Sequence, residues 1–212
     1  MPAFIPLFID LSARSIVIFG GGPVGERKAR YFLPAEVTVI SREFTPGLEA
    51  MGRQGSIRLK RAVIKKEGLA PIIDGAFLVV AATGDLAIDN EVRRIAEENN
   101  ILVNSATGDS SVIVPSLIKK DQIMIAISTG GSSPALSKYL RLKLESAIGE
   151  DIEKMAALQE KVRKHLKEKV DDQGRREKIL WEIMEDPGIW KALGESPDMA
   201  YEAALRHIEE KK

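Results

Sequence analysis

The segment Ser15-Ile-Val-Ile-Phe-Gly-Gly-Gly-Pro-Val-Gly-Glu-Arg-Lys-Ala29 decides the fold of this chain. It joins an apolar strand, a glycine turn and the start of an amphipathic helix, with the spacing G-x-G-x-x-G. Gly20 permits a tight turn, Gly22 lets a pyrophosphate approach the backbone, and Gly25 lets the helix pack closely on the sheet. The helix N-terminus offers free N–H groups to phosphates. The predicted cofactor contacts here are Gly20, Gly21, Gly22, Pro23, Val24 and Gly25.

Composition limits the classes of function that are open to the chain. Its 212 residues are 44% apolar, which supports a substantial core, and its formal net charge is zero, which argues against a nucleic-acid partner. The absence of cysteine excludes disulfides, thiolate metal sites and cysteine nucleophiles. The apolar N-terminus lacks the basic flank of a signal peptide, and no stretch reaches the length of about 20 residues that spans a membrane. We therefore expect a soluble, cytoplasmic protein without a membrane partner.

Strands and helices alternate over the first half of the chain. Apolar or alternating runs predict strands at residues 36–41, 56–62, 76–83 and 101–105, and helical patterns lie at 46–53 and 86–99. This alternation predicts an α/β fold with a Rossmann-like, doubly wound parallel sheet, which binds ligands at the carboxyl ends of its strands.

The pattern changes near residue 110. Two strand-like runs, 112–118 and 122–128, are joined by a short polar connection and predict an antiparallel hairpin. A helix capped by Ser133 follows, and the chain from residue 150 is charged and helical. The predicted organisation is a nucleotide-binding domain at 1–111, a small α+β region at 112–148 and a C-terminal helical region at 149–212. The apolar hairpin predicts a two-fold dimer formed through residues 112–148.

Polar residues that end the second strand are candidates to distinguish NAD from NADP. Glu43 could bind the ribose 2′-hydroxyl, as an acidic residue does in many nicotinamide-binding folds. Arg42 could instead lie along the adenine or meet a 2′-phosphate. Both residues could also be solvated loop charges, and the sequence alone leaves these alternatives open.

Further candidate contacts end the two strands that follow. Thr83 and Gly84 end the central strand, where a nicotinamide ribose would sit, and Asn104 and Ser105 end the next strand at the same edge. The alternative role for Thr83 is to cap the following helix, with Asp85 as the rival cap.

Four motifs in order resemble the precorrin-2 dehydrogenase family, which includes the N-terminal module of siroheme synthases. They are FGGGPVGERKAR (19–30), DGAFLVVAATGD (74–85), IVPSLI (113–118) and ISTGGSSPAL (127–136). The resemblance covers about residues 3–148, and residues 150–212 match only in being helical. It implies NAD-dependent oxidation of the tetrapyrrole precorrin-2 to sirohydrochlorin in siroheme biosynthesis, by a homodimer. Some members of the family also insert Fe²⁺.

Two other classes of protein share the glycine turn. A dinucleotide-sensing regulatory module usually carries a clear acidic residue at the end of the second strand and lacks a Gly-Gly-Ser-Ser-Pro turn. An unrelated NAD(P) dehydrogenase typically shows a Tyr-x-x-x-Lys or histidine-based acid–base pair, and neither is evident here. We therefore favour the precorrin-2 dehydrogenase and NAD as its cofactor, with NADP left open.

The family resemblance also indicates a catalytic base. The family carries an aspartate three residues after the asparagine that Asn104 matches, and without a gap this position is Thr107. Threonine cannot accept a proton at neutral pH, so Asp109, two residues further on, is the predicted base. The alternative is that Asp109 bonds its own backbone in a turn after Gly108.

The remaining site candidates concern the substrate and a metal. Ser132 and Ser133, at the start of a helix, could donate hydrogen bonds to a carboxylate of the tetrapyrrole. His165 and His207 are the only histidines and lack the spacing of metal ligands, so we expect no permanent metal site.

Overall fold

Two compact units make up the chain. A computed structural model describes residues 4–106 and 108–209 and divides the chain into Met1–Val114 and Pro115–Lys212. The predicted organisation into three regions, at 1–111, 112–148 and 149–212, stays a prediction. Within the described residues, no helix is both long and apolar enough to cross a membrane.

A parallel sheet forms the centre of the first unit. Its strands are β1 (Ser15–Phe19), β2 (Glu36–Ser41), β3 (Arg58–Arg61), β4 (Leu78–Ala81) and β5 (Leu102–Ser105). The helices are α1 (Pro23–Tyr31), α2 (Pro46–Arg53), α3 (Ala70–Ile73) and α4 (Leu86–Glu98), and a 3-10 turn at Lys66–Gly68 precedes α3. The strand order is β3-β2-β1-β4-β5, with every neighbouring pair parallel. The predicted doubly wound α/β fold is confirmed.

Alternating side chains give the sheet two apolar faces, because successive residues of a strand point to opposite sides. Ile18 belongs to the core that contains Ala29 of α1 and Leu48 of α2. Its neighbour Phe19 belongs to the core on the other side, with Val92 of α4. The sheet is therefore buried on both faces, which explains why its central strands are almost entirely apolar.

The strand order also positions the ligand-binding edge. β1 and β4 are neighbours, but the chain leaves β1 towards β2 and leaves β4 towards β5. The connections after these two strands therefore diverge and open a crevice at their carboxyl ends.

In the part of the second unit that the structure describes, a hairpin is followed by five helices. Its elements are β6 (Ser116–Lys120), β7 (Ile123–Ile127), α5 (Pro134–Ala147), α6 (Glu150–Lys169), α7 (Gln173–Glu185), α8 (Pro187–Glu195) and α9 (Pro197–Glu209). The antiparallel pairing of β6 and β7 agrees with the sequence prediction. A buried core that includes Val162, Leu166 and Ile183 holds α6 to α9 together.

The first strand of this hairpin begins later than the sequence pattern indicates. The run 112–118 was expected to form it, but β6 begins at Ser116 and continues through Lys120. The backbone N–H of Val112 instead donates to the carbonyl of Val103, and Val112 and Val114 pack against the core of the first unit. An apolar run predicts burial but does not distinguish burial in the sheet core from pairing in a hairpin.

Candidate functional site

The crevice lies at the carboxyl ends of the parallel strands and has a volume of about 620 Å³. It is lined by backbone and polar groups near the glycine turn and by apolar groups further along. The lining residues are Gly20, Gly21, Gly22, Ser41, Arg42, Glu43, Phe44, Thr45, Ala62, Val63, Ile64, Thr83, Asp85 and Ile88.

Close backbone contacts at the glycine turn shape the floor of this crevice. Gly20 has φ +118°, and a Cβ there would lie 2.0 Å from the carbonyl oxygen of Ala82. A Cβ on Gly25 would lie 2.0 Å from the carbonyl oxygen of Gly20, and one on Gly21 would lie 2.0 Å from that of Glu43. No side chain fits at these three positions, so the turn, α1 and the end of β2 meet through backbone atoms.

Gly22 differs from the other glycines of the turn because it faces open space. A Cβ there would meet nothing within 4 Å. Gly22 is the N-cap of α1, and no side chain caps that helix, whereas Thr45 caps α2 and Asp85 caps α4. The first N–H groups of α1 therefore lack a side-chain acceptor beside an open approach, which fits the phosphates of a dinucleotide.

A local ion pair offsets the acidic residue in the first turn of α1. The Thr45 hydroxyl donates to Glu26 at 2.5 Å, and the Arg30 guanidinium donates to it at 2.7 Å. These hydrogen bonds hold the pKa of the Glu26 carboxyl below its usual range. The Arg30 cation thus partly offsets the Glu26 charge near the predicted phosphate site.

On the same helix, burial lowers the pKa of Lys28 to about 8, and Arg27 adds to this shift.

The end of β2 lines the crevice with exposed charges. Arg42 and Glu43 are both exposed there. Arg61 is held nearby, because its Nη2 donates to Glu49 at 2.6 Å and its guanidinium lies 5.1 Å from the centroid of the Phe44 ring. Arg61 is already paired with a carboxylate, whereas Arg42 and Glu43 line the crevice beside the end of β2. Their role in selecting between NAD and NADP stays a prediction.

The turn after β4 shows which of two candidates, Thr83 or Asp85, caps α4. Asp85 is the N-cap of α4 and accepts hydrogen bonds from the backbone N–H groups of Ala87 at 2.8 Å and Ile88 at 3.3 Å. The helix cap is therefore Asp85 rather than Thr83. Gly84 adopts φ +82° between them and does not line the crevice, whereas Thr83 does.

Asn104 and Ser105 lie outside the residues that line the crevice. Asn104 is buried, and its Nδ2 donates to the carbonyl of Val112 at 2.8 Å. The backbone N–H of Ser105 donates to the hydroxyl of Ser110, and that of Val103 donates to the hydroxyl of Ser111, each at 2.8 Å. These serines bond to the outer edge of β5, beside which the described residues form no further strand. Contact of Asn104 or Ser105 with a cofactor stays a prediction.

The predicted base lies in the loop after β5. Asp109 is exposed, and no hydrogen bond joins its side chain to another of the described residues. The alternative in which it bonds its own backbone is therefore not seen. Thr107, the other candidate position, lies outside the described residues.

The candidate substrate residues belong to the second unit. Ser133 is the N-cap of α5, and its hydroxyl oxygen accepts from the backbone N–H of Leu136 at 3.2 Å. The Ser132 hydroxyl donates to the carbonyl of Thr129 at 2.6 Å. Gly130 and Gly131 both have positive φ and make the turn that places these serines at the helix start. Their contact with a substrate stays a prediction.

Among the described residues, neither histidine belongs to a group of side chains that could hold a metal ion. His207 lies 3.4 Å from Glu182 and 3.6 Å from Asp186, which are contacts between the helices of the second unit. Across residues 4–106 and 108–209, no group of three or more histidine, aspartate or glutamate side chains is arranged to hold a metal ion.

Some lining residues were not predicted from the sequence. They are Ser41, Phe44, Thr45, Ala62, Val63, Ile64, Asp85 and Ile88. The segment that follows β3 could have been found, because all strands of a parallel sheet end at the same edge. Phe44 and Ile88 carry no comparable signal, since an apolar residue in a loop or helix is usually part of a core.

Together, the glycine turn, the uncapped helix and the crevice at the topological switch point define a dinucleotide-binding α/β protein. Comparison with known families agrees. Residues 7–116 match the NAD(P)-binding family model, and residues 122–147 match the model for the central region of sirohaem biosynthesis proteins.

Relatives narrow this class to one family. The chain is 42% identical to a precorrin-2 dehydrogenase of Methanosarcina barkeri over 209 residues, which cover 97% of this chain and 93% of that protein. It is 36% identical over 182 residues to a siroheme synthase of Cronobacter sakazakii, covering 84% of this chain and 39% of that longer protein. The solved structure of SirC, a precorrin-2 dehydrogenase, superposes with a TM-score of 0.78 at 26% identity, covering 98% of this chain and 100% of that one. The chain belongs to the precorrin-2 dehydrogenase family.

Gly25→Ala should destabilise the first unit, although alanine normally stabilises a helix by about 1 kcal/mol relative to glycine. The new Cβ would meet the Gly20 carbonyl at 2.0 Å, and overpacking of this kind costs about 1–3 kcal/mol. Urea unfolding monitored by circular dichroism measures the change. Gly22→Ala is the matched control, because its Cβ enters open space. Equal stability of the two variants would contradict this account of the turn.

Proposed function

We propose that this protein oxidises precorrin-2 to sirohydrochlorin in siroheme biosynthesis, with NAD⁺ as the hydride acceptor. The observation that best supports this proposal is the crevice at Gly20–Gly22, where the N-terminus of α1 has no side-chain cap and faces open space. The similarity to the Methanosarcina barkeri precorrin-2 dehydrogenase over 97% of the chain supports the substrate. The balanced reaction converts precorrin-2 and NAD⁺ into sirohydrochlorin, NADH and a proton.

Different residues of this chain bind the parts of the cofactor and accept the proton that the reaction releases. The N–H groups at the start of α1 bind the pyrophosphate, and Gly22 keeps the approach open. Glu43 accepts a hydrogen bond from a ribose hydroxyl, and Thr83 contacts the nicotinamide half at the end of β4. Bound NAD⁺ supplies the electrophilic carbon that takes the hydride. Asp109 accepts the pyrrole N–H proton that must leave as the macrocycle is oxidised.

NAD⁺ rather than NADP⁺ is the proposed cofactor because an acidic side chain lines the crevice beside β2. Glu43 offers an acceptor to a 2′-hydroxyl and would repel a 2′-phosphate. The nearby cation of Arg61 is paired with Glu49 at 2.6 Å. Arg42 remains the residue that could offset this preference, and it lies along the adenine in this proposal.

Gly22→Val should weaken NAD⁺ binding while leaving the fold intact. The valine side chain would occupy the space through which the pyrophosphate approaches, and losing charge-assisted hydrogen bonds at the helix start should raise the Kd by about tenfold or more. Isothermal titration with NAD⁺ and NADP⁺ measures the change and the cofactor preference together.

The activity assay is NADH formation from precorrin-2 and NAD⁺. The parent should form NADH and sirohydrochlorin in equal amounts. No turnover by a folded, NAD⁺-binding parent would contradict the proposed reaction, and unchanged NAD⁺ affinity in Gly22→Val would contradict the placement of the pyrophosphate.

Asp109→Ala should lower single-turnover NADH formation by about 10²–10⁴-fold without changing NAD⁺ affinity, as expected when a positioned base is removed. Asp74→Ala is the matched control, because Asp74 is an exposed aspartate next to the amino end of β4. A rate within about threefold of the parent would remove Asp109 from the mechanism. Fe²⁺ insertion into sirohydrochlorin is followed in the same samples, since loss of that step alone would assign Asp109 to metal insertion.

We propose further that the protein is a homodimer formed through the hairpin and α5. Most of the apolar side chains of α5 lie at the surface, and Ser137 is its one buried residue. The exposed apolar residues of this region are Met124, Leu136, Tyr139, Leu140, Leu142 and Leu144. Exposed apolar side chains in this number are costly in water and typical of a protein interface. A second copy of the chain is the proposed occupant, as the family resemblance also implies.

Leu140→Asp should convert the dimer into a monomer, because burying an unpaired carboxylate in an apolar interface is costly. Sedimentation velocity at micromolar concentration measures the mass. Leu33→Asp is the matched control, since Leu33 is 40% exposed and Leu140 is 37% exposed, but Leu33 lies in the first unit after α1. A monomeric parent, or a Leu140→Asp protein that remains dimeric, would contradict this interface.

A further inference from the structure

A buried aspartate underlies the nicotinamide side of the crevice. Asp89, in the first turn of α4, is 2% exposed. Its Oδ1 accepts hydrogen bonds from the backbone N–H of Thr83 at 3.0 Å and from the Thr83 hydroxyl at 2.7 Å. Its Oδ2 is also buried and has no hydrogen-bond partner among the described residues. Both hydrogen bonds of the Asp89 side chain therefore come from Thr83, which lines the crevice.

Helix capping does not explain this aspartate. Asp85 already accepts the free N–H groups at the start of α4, at 2.8 and 3.3 Å. A buried carboxyl with one unpartnered oxygen is costly, and an apolar residue of similar size would pack there without that cost. The cost is offset in part by the positive end of the α4 dipole. What Asp89 adds to the fold beyond packing is control of Thr83.

The hydrogen bonds of Thr83 leave its hydroxyl oxygen as an acceptor. A hydroxyl has one hydrogen and two lone pairs. We assign the hydrogen to Asp89, because its Oδ1 lies at 2.7 Å, whereas the other available acceptor, the carbonyl of Asp85, lies at 3.3 Å. One lone pair accepts the backbone N–H of Asp85 at 3.1 Å. One lone pair remains, so Thr83 can bind only a ligand group that donates a hydrogen bond.

We infer that Asp89 is a positioning residue, which fixes Thr83 as an acceptor for the ribose hydroxyl or carboxamide N–H of the nicotinamide half. The inference rests on the proposed cofactor site and adds a positioning residue to it. The start of α1 offers hydrogen-bond donors and takes phosphate, which only accepts at neutral pH. Thr83 offers an acceptor and rejects phosphate. The start of α1 and the Thr83 hydroxyl therefore select chemically different groups of the dinucleotide.

The experiment compares two probes, NAD⁺ and ADP, by isothermal titration. ADP carries the adenosine and phosphate groups without the nicotinamide half. Thr83→Val removes the acceptor while keeping the shape of the side chain, and Asp89→Leu removes its support. Each variant should raise the Kd for NAD⁺ by about three- to tenfold, the effect of one neutral hydrogen bond, and leave the Kd for ADP within about twofold. The double variant should lose no more than the larger single loss, because the two residues act as one unit.

Asp89→Asn supplies the conservative rescue. Its amide oxygen can accept both hydrogen bonds from Thr83, so NAD⁺ affinity should return to within about twofold of the parent. A purely structural role would shift NAD⁺ and ADP affinity together, and that result in Asp89→Leu would overturn the inference. If Asp89→Leu does not fold, an unchanged NAD⁺ affinity in Thr83→Val would still overturn it.

The same titrations separate this inference from the proposed function. A folded parent that binds neither ADP nor NAD⁺ overturns the cofactor site and the inference together. A parent that binds both, with NAD⁺ affinity unchanged in Thr83→Val, leaves the cofactor site standing and overturns the role of Asp89 alone.

Discussion

Close backbone contact at the glycine turn is the constraint on which the dinucleotide site depends. A Cβ on Gly20 would lie 2.0 Å from the carbonyl of Ala82, and one on Gly25 would lie 2.0 Å from the carbonyl of Gly20. β1, β4 and α1 therefore meet without intervening side chains, and the start of α1 reaches the carboxyl edge of the sheet. A side chain at either position would move the helix away from that edge and separate its N–H groups from any phosphate bound there.

Helix capping then distinguishes α1 from α2 and α4 as a place for an anion. Thr45 accepts from a backbone N–H at the start of α2, and Asp85 accepts from two at the start of α4. α1 begins at Gly22, which has no side chain to offer, and Pro23 removes one N–H that would otherwise need an acceptor. Unlike α2 and α4, α1 therefore starts without a side-chain acceptor, which fits its proposed role in binding phosphate.

Local signals made most of the fold predictable from the sequence. The helix at 46–53 is predicted to the residue, and the structure shows a capping threonine before it and a proline at its first position. The segment Ala70–Ile73 was missed, since four residues are too few to show a helical period. The hairpin was predicted with its first strand displaced, because Val112 and Val114 are apolar for contacts with a core that is distant in sequence.

Residues of the candidate site are likewise predictable from the sequence only where the signal is local. The glycine turn and Thr83 are visible in the sequence because each follows a buried strand directly. Asp89 is not visible, since an aspartate in a helix with charged neighbours is normally solvated, and its burial depends on how α4 packs against the sheet. A short motif thus predicts where a cofactor binds, whereas the buried hydrogen bond between Asp89 and Thr83, on which the proposed positioning role rests, is revealed only by the packed structure.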